Sequence, residues 1–485
     1  MIIPFCSRGG TTVFNGQLLE LSPTEESMIR VSKFLKGLMR VSLVLIFEGE
    51  VCTGTDLTET LLKLQQLHPI LRSTVIPESD IVDVTTKLFI KVDDSIRLSV
   101  TTHDGSAFKD INEAWNSVWS GYVEKAPYVF GEALARFDVV YAHGATALVA
   151  SCEHAFCDGR SFTNMCAELL RLMTHVDDVS STISNAIWGP AFETACGPAE
   201  SLSQERLSRR MAGFKQFPQP TNVKLFPSDS STMNSFRLAD TGSTRVQRVT
   251  FSAAESQRLL EACRSARTTI TGALAAAILR ASATVIRDFA VPMSSPAKDS
   301  SSDDSASQLA MSCGIDTRKL YDAPVGESVL SYHVSGLPLF LKSFEGVLNA
   351  STAELWIMAS EYKKTITDAI ACEYPLALSG FIGKIWAANL DEDAPPVPKR
   401  LSASLTNWGA LPFTLGEYSP SIKLLAALPV VNNSNMVVPN FIASSVSNEL
   451  SVTLLTHVPC VSSHHADALL AEFRKCLAAM IGLAA

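Results

Sequence analysis

The feature that most constrains the fold is a nearly continuous apolar run, residues 146–152, that leads directly into a turn containing a histidine. An apolar run without polar alternation is typical of a strand that is covered on both faces. From Phe162 to Met173 apolar residues recur at helical spacing, and Asp158 or Ser161 can cap the first turn. The sequence therefore predicts a buried strand, a tight turn and an amphipathic helix in succession.

The composition indicates a folded protein with more than one core. A chain of 485 residues exceeds what one hydrophobic core usually organises, so we expect two large lobes. Hydrophobic residues make up 47% of the chain and charged residues 18%, which argues against wholesale disorder. The formal net charge is -9, and there is no long run of Lys and Arg, so nucleic acid is excluded as an expected partner.

The N-terminus, the apolar runs and the cysteines indicate where the protein is located and whether it binds a metal. The N-terminus lacks the basic and apolar regions of a secretion signal, and the longest apolar runs, residues 41–47 and 272–279, are too short for a membrane span. The 11 cysteines form no CxxC pair, which argues against a zinc site and a disulfide scaffold. We expect a cytoplasmic protein with reduced thiols, no metal and no membrane span.

Strand and helix signals alternate along the rest of the chain. Strands are expected over residues 41–47, 88–92, 96–101, 136–141, 309–315 and 401–407, and near Phe441 and Val452. Helices are expected over residues 57–71, 253–264, 269–282, 352–369 and 466–481. Residues 298–308, KDSSSDDSASQ, predict a surface loop. Periodicity is lost between about residues 197 and 242, so we divide the chain into a first lobe of residues 1–200, a crossover linker of residues 201–245 and a second lobe of residues 246–485.

The turn after the apolar run, with the sequence EHAFCDG, carries the candidate chemistry. His154, at the end of a buried strand, can act as a general base near neutral pH if a hydrogen bond holds its other ring nitrogen. Gly159 permits a sharp turn into the next helix, and Asp158 supports the turn. A lone histidine is more often structural, and we assign that role to His68, His103, His143, His175, His333 and His457, and a solvated position to His464 and His465.

Cys157 is a rival candidate, because it lies three residues from His154 and a cysteine and histidine pair could form a hydrolase. The adjacent Asp158 carboxylate disfavours a thiolate, and no basic residue precedes Cys157 closely enough to offset it. We therefore prefer the general-base interpretation of His154.

Several segments resemble one known superfamily. The residues from His154 to Gly159 match the HxxxDG signature of chloramphenicol acetyltransferases, condensation domains, BAHD acyltransferases, polyketide-associated acyltransferases and alcohol acetyltransferases. LSPTEESMIRVSKFLKG and LTETLLKLQQLHPILRSTV resemble the opening strand and first helix of that superfamily. TTITGALAAAILRA and CGIDTRKLYDAPVG resemble its second lobe, and LTNWGALPF resembles its Asn/Asp-Phe/Trp-Gly motif. The resemblance covers nearly the whole chain.

The chain differs from two groups of the superfamily at their motifs. Condensation domains carry two adjacent histidines, whereas Glu153 occupies the first of those positions here. BAHD enzymes carry a longer DFGWG motif, whereas this chain has only Asn407-Trp408-Gly409. These differences favour the alcohol acetyltransferase and polyketide-associated groups.

The resemblance implies an α/β fold of two chloramphenicol acetyltransferase-like lobes, each a mixed sheet with flanking helices, and an active-site channel at their interface. It implies that His154 deprotonates the acceptor without an acyl-enzyme intermediate. Oxyanion and channel candidates are Asn407, Trp408 and Gly409, or a backbone amide. It also implies that Asp158, together with Gly159, supports the motif, and that Asp158 turns away from the channel to pair with an arginine, for which Arg318 is the first choice and Arg72 the second.

The resemblance further implies a monomer without a bound cofactor, in which acyl-CoA, in particular acetyl-CoA, is a co-substrate and the acceptor is a hydroxyl of a small, largely apolar metabolite. Two alternatives stay open. One is condensation-type transfer from the thioester of an acyl carrier protein to an amine or alcohol. The other is a protein that transfers no acyl group and uses the channel for binding or for a unimolecular, pericyclic reaction.

Overall fold

The computed structural model describes residues 16–34, 39–52, 54–80, 86–174, 188–197, 202–218, 220–226, 235–236, 242–289, 307–378, 397–398, 400–432, 439–458 and 460–483. Its strands are β1 (Leu18–Glu20), β2 (Arg40–Glu48), β3 (Ser73–Pro77), β4 (Leu88–Val92), β5 (Ser99–Asp104), β6 (Ala135–Ala142), β7 (Ala145–Glu153), β8 (Ser235–Phe236), β9 (Ser243–Phe251), β10 (Gln308–Asp316), β11 (Val334–Gly336), β12 (Phe340–Ser343), β13 (Val397–Pro398), β14 (Ala403–Ala410), β15 (Gly416–Ser419), β16 (Ile422–Val431), β17 (Asn440–Val446) and β18 (Glu449–Val458). Its helices are α1 (Pro23–Phe34), α2 (Gly54–Leu67), α3 (Ile111–Val118), α4 (Gly159–Thr174), α5 (Phe192–Cys196), α6 (Gln204–Gln216), α7 (Ala253–Ser265), α8 (Ile270–Asp288), α9 (Phe344–Leu348), α10 (Thr352–Ala371), α11 (Tyr374–Ala377) and α12 (Ser463–Met480).

The first lobe is built on a six-stranded mixed sheet with the strand order β15-β16-β2-β7-β6-β5. β7 is antiparallel to both of its neighbours, whereas β5 and β6 are parallel. Every residue of β7 after Ala145 is buried, as expected for a strand covered on both faces. α4 packs on β2, and α3 packs on β6 and β7. The apolar run therefore forms a central strand of this sheet, and the strand delivers the chain to His154.

The second lobe is built on a seven-stranded sheet with the order β11-β10-β14-β17-β18-β9, in which β12 also pairs with β10. β14 is parallel to β10 and β17, and the other pairs are antiparallel. The buried apolar residues form two clusters, one largely in each lobe. The two mixed sheets with flanking helices confirm the predicted α/β fold class.

The second half of the chain contributes two strands to the first-lobe sheet. β15 and β16, residues 416–431, follow the second-lobe strand β14 but complete the first-lobe sheet, where β16 pairs with β2. They fall inside the predicted second lobe, residues 246–485, so the lobes are not divided by a single cut in the sequence. α6 forms inside the predicted linker, residues 201–245, where Ser203 caps it by accepting a hydrogen bond from the Arg206 amide.

Most of the other element predictions agree with the structure, but several have shifted bounds, including the helix expected over residues 269–282, which extends to Asp288. The strand expected at residues 96–101 lies at Ser99–Asp104. The helix expected to reach Leu71 ends at Leu67, and Pro69–Arg72 form a short 3₁₀ turn. Pro69 is the reason, because proline has no backbone N–H to donate and disfavours helical geometry at the residue before it. The predicted loop at residues 298–308 lies largely outside the described residues.

α8 is the one helix among the described residues that is long and apolar enough to cross a membrane, with a mean hydropathy of 1.4. In the structure, 72% of that apolar window is buried inside the protein, where α8 contacts α10 and α12. This burial is the behaviour of a core helix.

One contact between the lobes joins a buried carboxylate to β9. Glu124, which is 5% exposed, follows α3 in the first lobe and accepts hydrogen bonds from the Thr244 amide at 2.9 and 3.0 Å and from the Thr244 hydroxyl. Burial raises the pKa of Glu124 to about 7, although the bonds from Thr244 act in the opposite direction. The folded protein therefore holds a proton on Glu124 at pH values where the unfolded chain has lost it.

Glu124 is expected to make the protein less stable as the pH rises from about 4.5 to 7, because a carboxyl group with a raised pKa binds more protons in the folded state than in the unfolded state. Denaturant unfolding of the wild type and of Glu124→Gln at several pH values measures the effect. The variant should gain stability relative to the wild type by about 2–3 kcal/mol between pH 5 and pH 8. Glu417→Gln, at an exposed position, is the control and should leave the profile unchanged. Parallel profiles for the wild type and Glu124→Gln would contradict the prediction.

Candidate functional site

His154 begins a short 3₁₀ turn, His154–Phe156, directly after β7. Its amide donates a 2.9 Å hydrogen bond to the Met39 carbonyl, next to the start of β2. His154 is partly exposed, whereas the residues on either side of it are buried. The central sheet therefore fixes the backbone at His154, and the residue keeps part of its surface exposed.

The structure determines which ring nitrogen of His154 can accept a proton. Nδ1 lies 2.7 Å from the Cys157 carbonyl oxygen, and because a carbonyl only accepts hydrogen bonds, Nδ1 must carry the hydrogen. Burial lowers the pKa of His154, although the Cys157 carbonyl and the Asp158 carboxylate act in the opposite direction. The ring is therefore neutral near pH 7, and Nε2 carries the lone pair that a general base needs.

An aromatic residue that the sequence motifs do not include packs against the His154 ring, and a second aromatic residue packs against the first. The ring of Tyr332 lies edge-on to the His154 ring, with the centroids 5.2 Å apart, and Phe192 packs against Tyr332 at 5.8 Å. Tyr332 comes from the segment before β11 and Phe192 begins α5, so both are distant from His154 in sequence. No local pattern in the sequence signals this contact.

Asp158 is fully buried, and Nδ1 of His154 bonds to the Cys157 carbonyl and not to the Asp158 carboxylate. One oxygen, Oδ1, accepts hydrogen bonds from the amides of Arg160 at 3.0 Å and Ser161 at 3.1 Å, and so caps α4. The other, Oδ2, lies 2.7 Å from Nη1 of Arg318 and accepts a 2.8 Å bond from the His333 amide. Burial acts to raise the pKa of Asp158, but Arg318 and the amide donors outweigh it and lower the pKa.

Arg318, the first choice as partner of Asp158, is also fully buried. Its guanidinium donates to the Ser331 carbonyl at 3.0 Å and contacts the Asp316 carboxylate at 3.2 Å. Arg72, the second choice, pairs instead with Asp94, so that alternative is wrong. Because Arg318 follows β10 of the second lobe, the pair ties the HxxxDG turn to the other lobe.

The rival nucleophile Cys157 lies in an environment that opposes ionisation. It is fully buried, and its thiol contacts the Glu153 carbonyl at 3.6 Å. Burial raises the pKa of the Cys157 thiol well above its usual value, and the neighbouring acidic groups raise it further. The thiol therefore stays protonated at neutral pH, which disfavours the cysteine hydrolase interpretation.

Glu153, at the position of the first histidine of condensation domains, forms a buried ion pair. It is 2% exposed and lies 2.5 Å from Nη2 of Arg40, which also donates to the Val123 carbonyl at 2.8 Å. This residue therefore joins β7 to β2 and contributes to the sheet.

The Asn407-Trp408-Gly409 motif forms a bulge in β14. Asn407 pairs with Ala443 and Gly409 with Ser444, so Trp408 is the extra residue, and Gly409 has a φ of +72° that favours glycine. The Asn407 side chain accepts a 2.9 Å bond from the Gly409 amide and donates a 2.9 Å bond to the Thr271 hydroxyl. These contacts hold the bulge, and the oxyanion role of Asn407 stays a prediction.

The bulge brings the two sequence motifs together. A Cβ atom added at Gly159 would lie 2.6 Å from the indole ring of Trp408, which is 9% exposed. Glycine at position 159 is therefore needed for the close approach of the indole ring.

Gly159→Ala is expected to destabilise the protein by about 1–3 kcal/mol, because the added methyl group overlaps the Trp408 ring. Alanine is the better helix former, so intrinsic propensity alone would favour the variant. Adding Trp408→Leu to Gly159→Ala should recover part of the loss, measured by denaturant unfolding against Trp408→Leu alone. A variant as stable as the wild type would contradict the packing argument.

No protein-family model matches the chain, and no curated protein matches it in sequence. Solved structures do match it. Trichothecene 15-O-acetyltransferase from Fusarium sporotrichioides has a TM-score of 0.69 at 12% identity, covering 99% of each chain. Polyketide synthase associated protein 5 from Mycobacterium tuberculosis has a TM-score of 0.63 at 15% identity, covering 96% of this chain and 98% of that chain. The condensation domain of the monacolin K polyketide synthase MokA has a TM-score of 0.64 at 14% identity, covering 96% and 97%.

The chain therefore has the fold of these solved structures, which is the fold that the sequence resemblance predicted. Solved structures with this fold include an acetyltransferase, a polyketide synthase associated protein and a condensation domain, so the fold alone does not choose among these groups.

Proposed function

We propose that the protein transfers an acyl group, in particular acetyl, from acyl-CoA to a hydroxyl of a small, largely apolar metabolite. The observation that carries the proposal is the bond from His154 Nδ1 to the Cys157 carbonyl, which leaves Nε2 of a partly exposed, neutral histidine ready to accept a proton. The fold adds support, because solved acyltransferases have it. Acyl-CoA is a co-substrate in this proposal, and the protein acts in the cytoplasm without a bound cofactor.

The proposed reaction runs in one active site without an acyl-enzyme. Nε2 of His154 takes the proton of the acceptor hydroxyl while the oxygen attacks the thioester carbonyl. The tetrahedral oxyanion collapses, the carbon–sulfur bond breaks, and the CoA thiolate takes the proton back from Nε2. Tyr332 supports the step by restricting the His154 ring, since a base in a fixed orientation needs no reorientation when the acceptor arrives.

A carrier-protein thioester is the second candidate donor, favoured by the likeness to a condensation domain. In this alternative an acyl carrier protein holds the thioester, and the acceptor is an amine or an alcohol. Parallel reactions with acetyl-CoA and with an acetylated phosphopantetheinyl carrier protein distinguish the two. We expect transfer from acetyl-CoA.

The test is a mass-spectrometric screen of hydroxylated acceptors with acetyl-CoA, combined with a thiol assay for released CoA. An acetylated product that forms with the wild type and is lost with His154→Ala supports the proposal. Product formation that persists in His154→Ala would refute the base assignment. The absence of transfer from both donors would leave a binding or unimolecular role.

A further inference from the structure

Tyr332 carries a hydroxyl group that its packing does not explain. Its ring is 7% exposed and lies edge-on to the His154 ring, a contact that a phenylalanine could also make. Among the described residues the hydroxyl has no hydrogen-bond partner, and it is not one of the buried polar atoms that lack one. The small surface that Tyr332 exposes therefore includes its hydroxyl oxygen.

The neighbouring tyrosine shows the usual arrangement. The Tyr321 hydroxyl lies 2.6 Å from the Thr317 hydroxyl and 2.9 Å from Nδ1 of His333, so its hydrogen-bonding capacity is used inside the protein. Polar groups in a protein interior are generally paired in this way. The Tyr332 hydroxyl is instead available to a molecule that enters beside His154.

The backbone on both sides of Tyr332 is anchored. The Ser331 carbonyl accepts a 3.0 Å hydrogen bond from Nη2 of Arg318. The His333 carbonyl accepts bonds of 2.9 Å from both the amide and the hydroxyl of Thr317. Tyr332 therefore lies on a fixed segment, and a donor that is fixed before the reaction needs no reorganisation during it.

The Tyr332 hydroxyl is a donor at every pH at which the protein is folded and active. Burial raises its pKa, and the carboxylates of Asp158 and Glu193 raise it further. The phenol therefore keeps its proton and cannot replace His154 as the base. The two rings in contact thus carry complementary groups, a proton acceptor on His154 and a hydrogen-bond donor on Tyr332.

Acyl transfer needs these two groups a short distance apart. In the tetrahedral intermediate, the oxygen that came from the acceptor and the oxyanion are bonded to the same carbon. Two hydrogen bonds of about 2.8 Å and two covalent bonds join the base to the oxyanion donor, a span of at most roughly 8 Å. Two rings with centroids 5.2 Å apart place their polar atoms on this scale.

We infer that the Tyr332 hydroxyl donates a hydrogen bond to the thioester carbonyl oxygen and to the oxyanion that forms from it, which makes Tyr332 a catalytic residue. The inference rests on the proposed function, because it assigns a second group to the same reaction. The acceptor oxygen adds to the carbonyl carbon, His154 carries the transferred proton, and Tyr332 keeps its own. The Asn407 side chain, the donor expected from the sequence, already bonds to the Gly409 amide and the Thr271 hydroxyl.

The first test measures binding and needs no turnover. S-(2-oxopropyl)pantetheine and S-propylpantetheine differ only in one carbonyl group, and pantetheine is the arm that CoA and a carrier protein share. In ligand-observed NMR titrations, Tyr332→Phe should bind the ketone roughly 3- to 10-fold more weakly than the wild type does, the range of one neutral hydrogen bond. Binding of the propyl compound should not change, because phenylalanine keeps the ring.

The control is Tyr362→Phe, which removes a hydroxyl from a tyrosine that is 1% exposed in the second-lobe core. It should bind both compounds as the wild type does. If Tyr332→Phe binds the ketone as tightly as the wild type, or if the wild type binds neither compound, the inference is wrong.

The second test measures turnover from acetyl-CoA. Tyr332→Phe should lower it by roughly 10²–10³-fold, the loss seen when one oxyanion donor is removed, and should keep the acid limb of the pH profile, because His154 is still the base. Full turnover in Tyr332→Phe would overturn the inference. If the ketone binds as expected but the wild type transfers no acetyl group, Tyr332 stands as a carbonyl-binding residue and the proposed function fails.

Discussion

Replacement of His154 by alanine is expected to lower the turnover of acyl transfer by roughly 10²–10⁴-fold, the usual loss when a general base is removed. The fold should survive, because His154 is partly exposed and the bond that fixes the turn comes from its backbone amide to Met39, which alanine retains. Thermal unfolding and the rate of CoA release at saturating acetyl-CoA measure the two effects. His464→Ala, at an exposed position on α12, is the matched control and should leave turnover unchanged.

The dependence of turnover on pH provides a second test of His154. Because burial lowers its pKa, turnover should fall only on the acid side, with an apparent pKa below the usual 6.5 of histidine. His154→Ala should lose this acid limb. Near-normal turnover in His154→Ala, or an acid limb that persists in it, would show that another group accepts the proton.

The parts of the fold that the sequence predicts are those in which burial imposes a pattern. β7 is an example, since a strand covered on both faces must be apolar throughout. β16 escaped prediction partly because Pro429 argues against a strand. β15 pairs only with the beginning of β16, so β16 is an edge strand at Pro429, and proline is tolerated there.

α6 escaped prediction for a different reason. Its contacts with the second lobe include ion pairs as well as apolar packing, since Arg206 and Arg210 both bind Glu373 at 2.8 Å and Phe214 packs against Tyr374. Apolar periodicity, the main helix signal in a sequence, does not register the part of a helix that is held by ion pairs.

The candidate site also has a part that the sequence predicts and a part that only the structure reveals. His154 and Asp158 are recognisable in the sequence because they share one short motif. Trp408 and Gly159 are 249 positions apart, and only the bulge in β14 reveals that the indole ring lies on the glycine. Tyr332 belongs to no motif, so its contact with His154 is visible only in the folded chain.

The buried pair of Asp158 and Arg318 is expected to govern stability, and each single variant should lose about 3–5 kcal/mol, because removing one partner leaves the other charge buried and unpaired. In Arg318→Met the Asp158 carboxylate loses its counter-ion. In Asp158→Asn the oxygen that caps α4 can remain, but the new NH₂ group faces the donors of Arg318 and His333. Both variants therefore leave unsatisfied donors or charge in the interior.

A double-mutant cycle distinguishes this bracing role from direct assistance to His154. Because the two side chains contact each other, the double variant Asp158→Asn/Arg318→Met should lose less stability than the sum of the two single losses. Asp316→Asn is the matched control. Asp316 also contacts Arg318 but is 37% exposed, so its loss should cost less than about 1 kcal/mol.

A carboxylate that assisted His154 would have to bind Nδ1, and that atom bonds to the Cys157 carbonyl instead. Turnover per folded molecule should therefore be largely retained in Asp158→Asn. Additive losses would show that the pair is not coupled, and a fully stable but inactive Asp158→Asn would make Asp158 a catalytic residue.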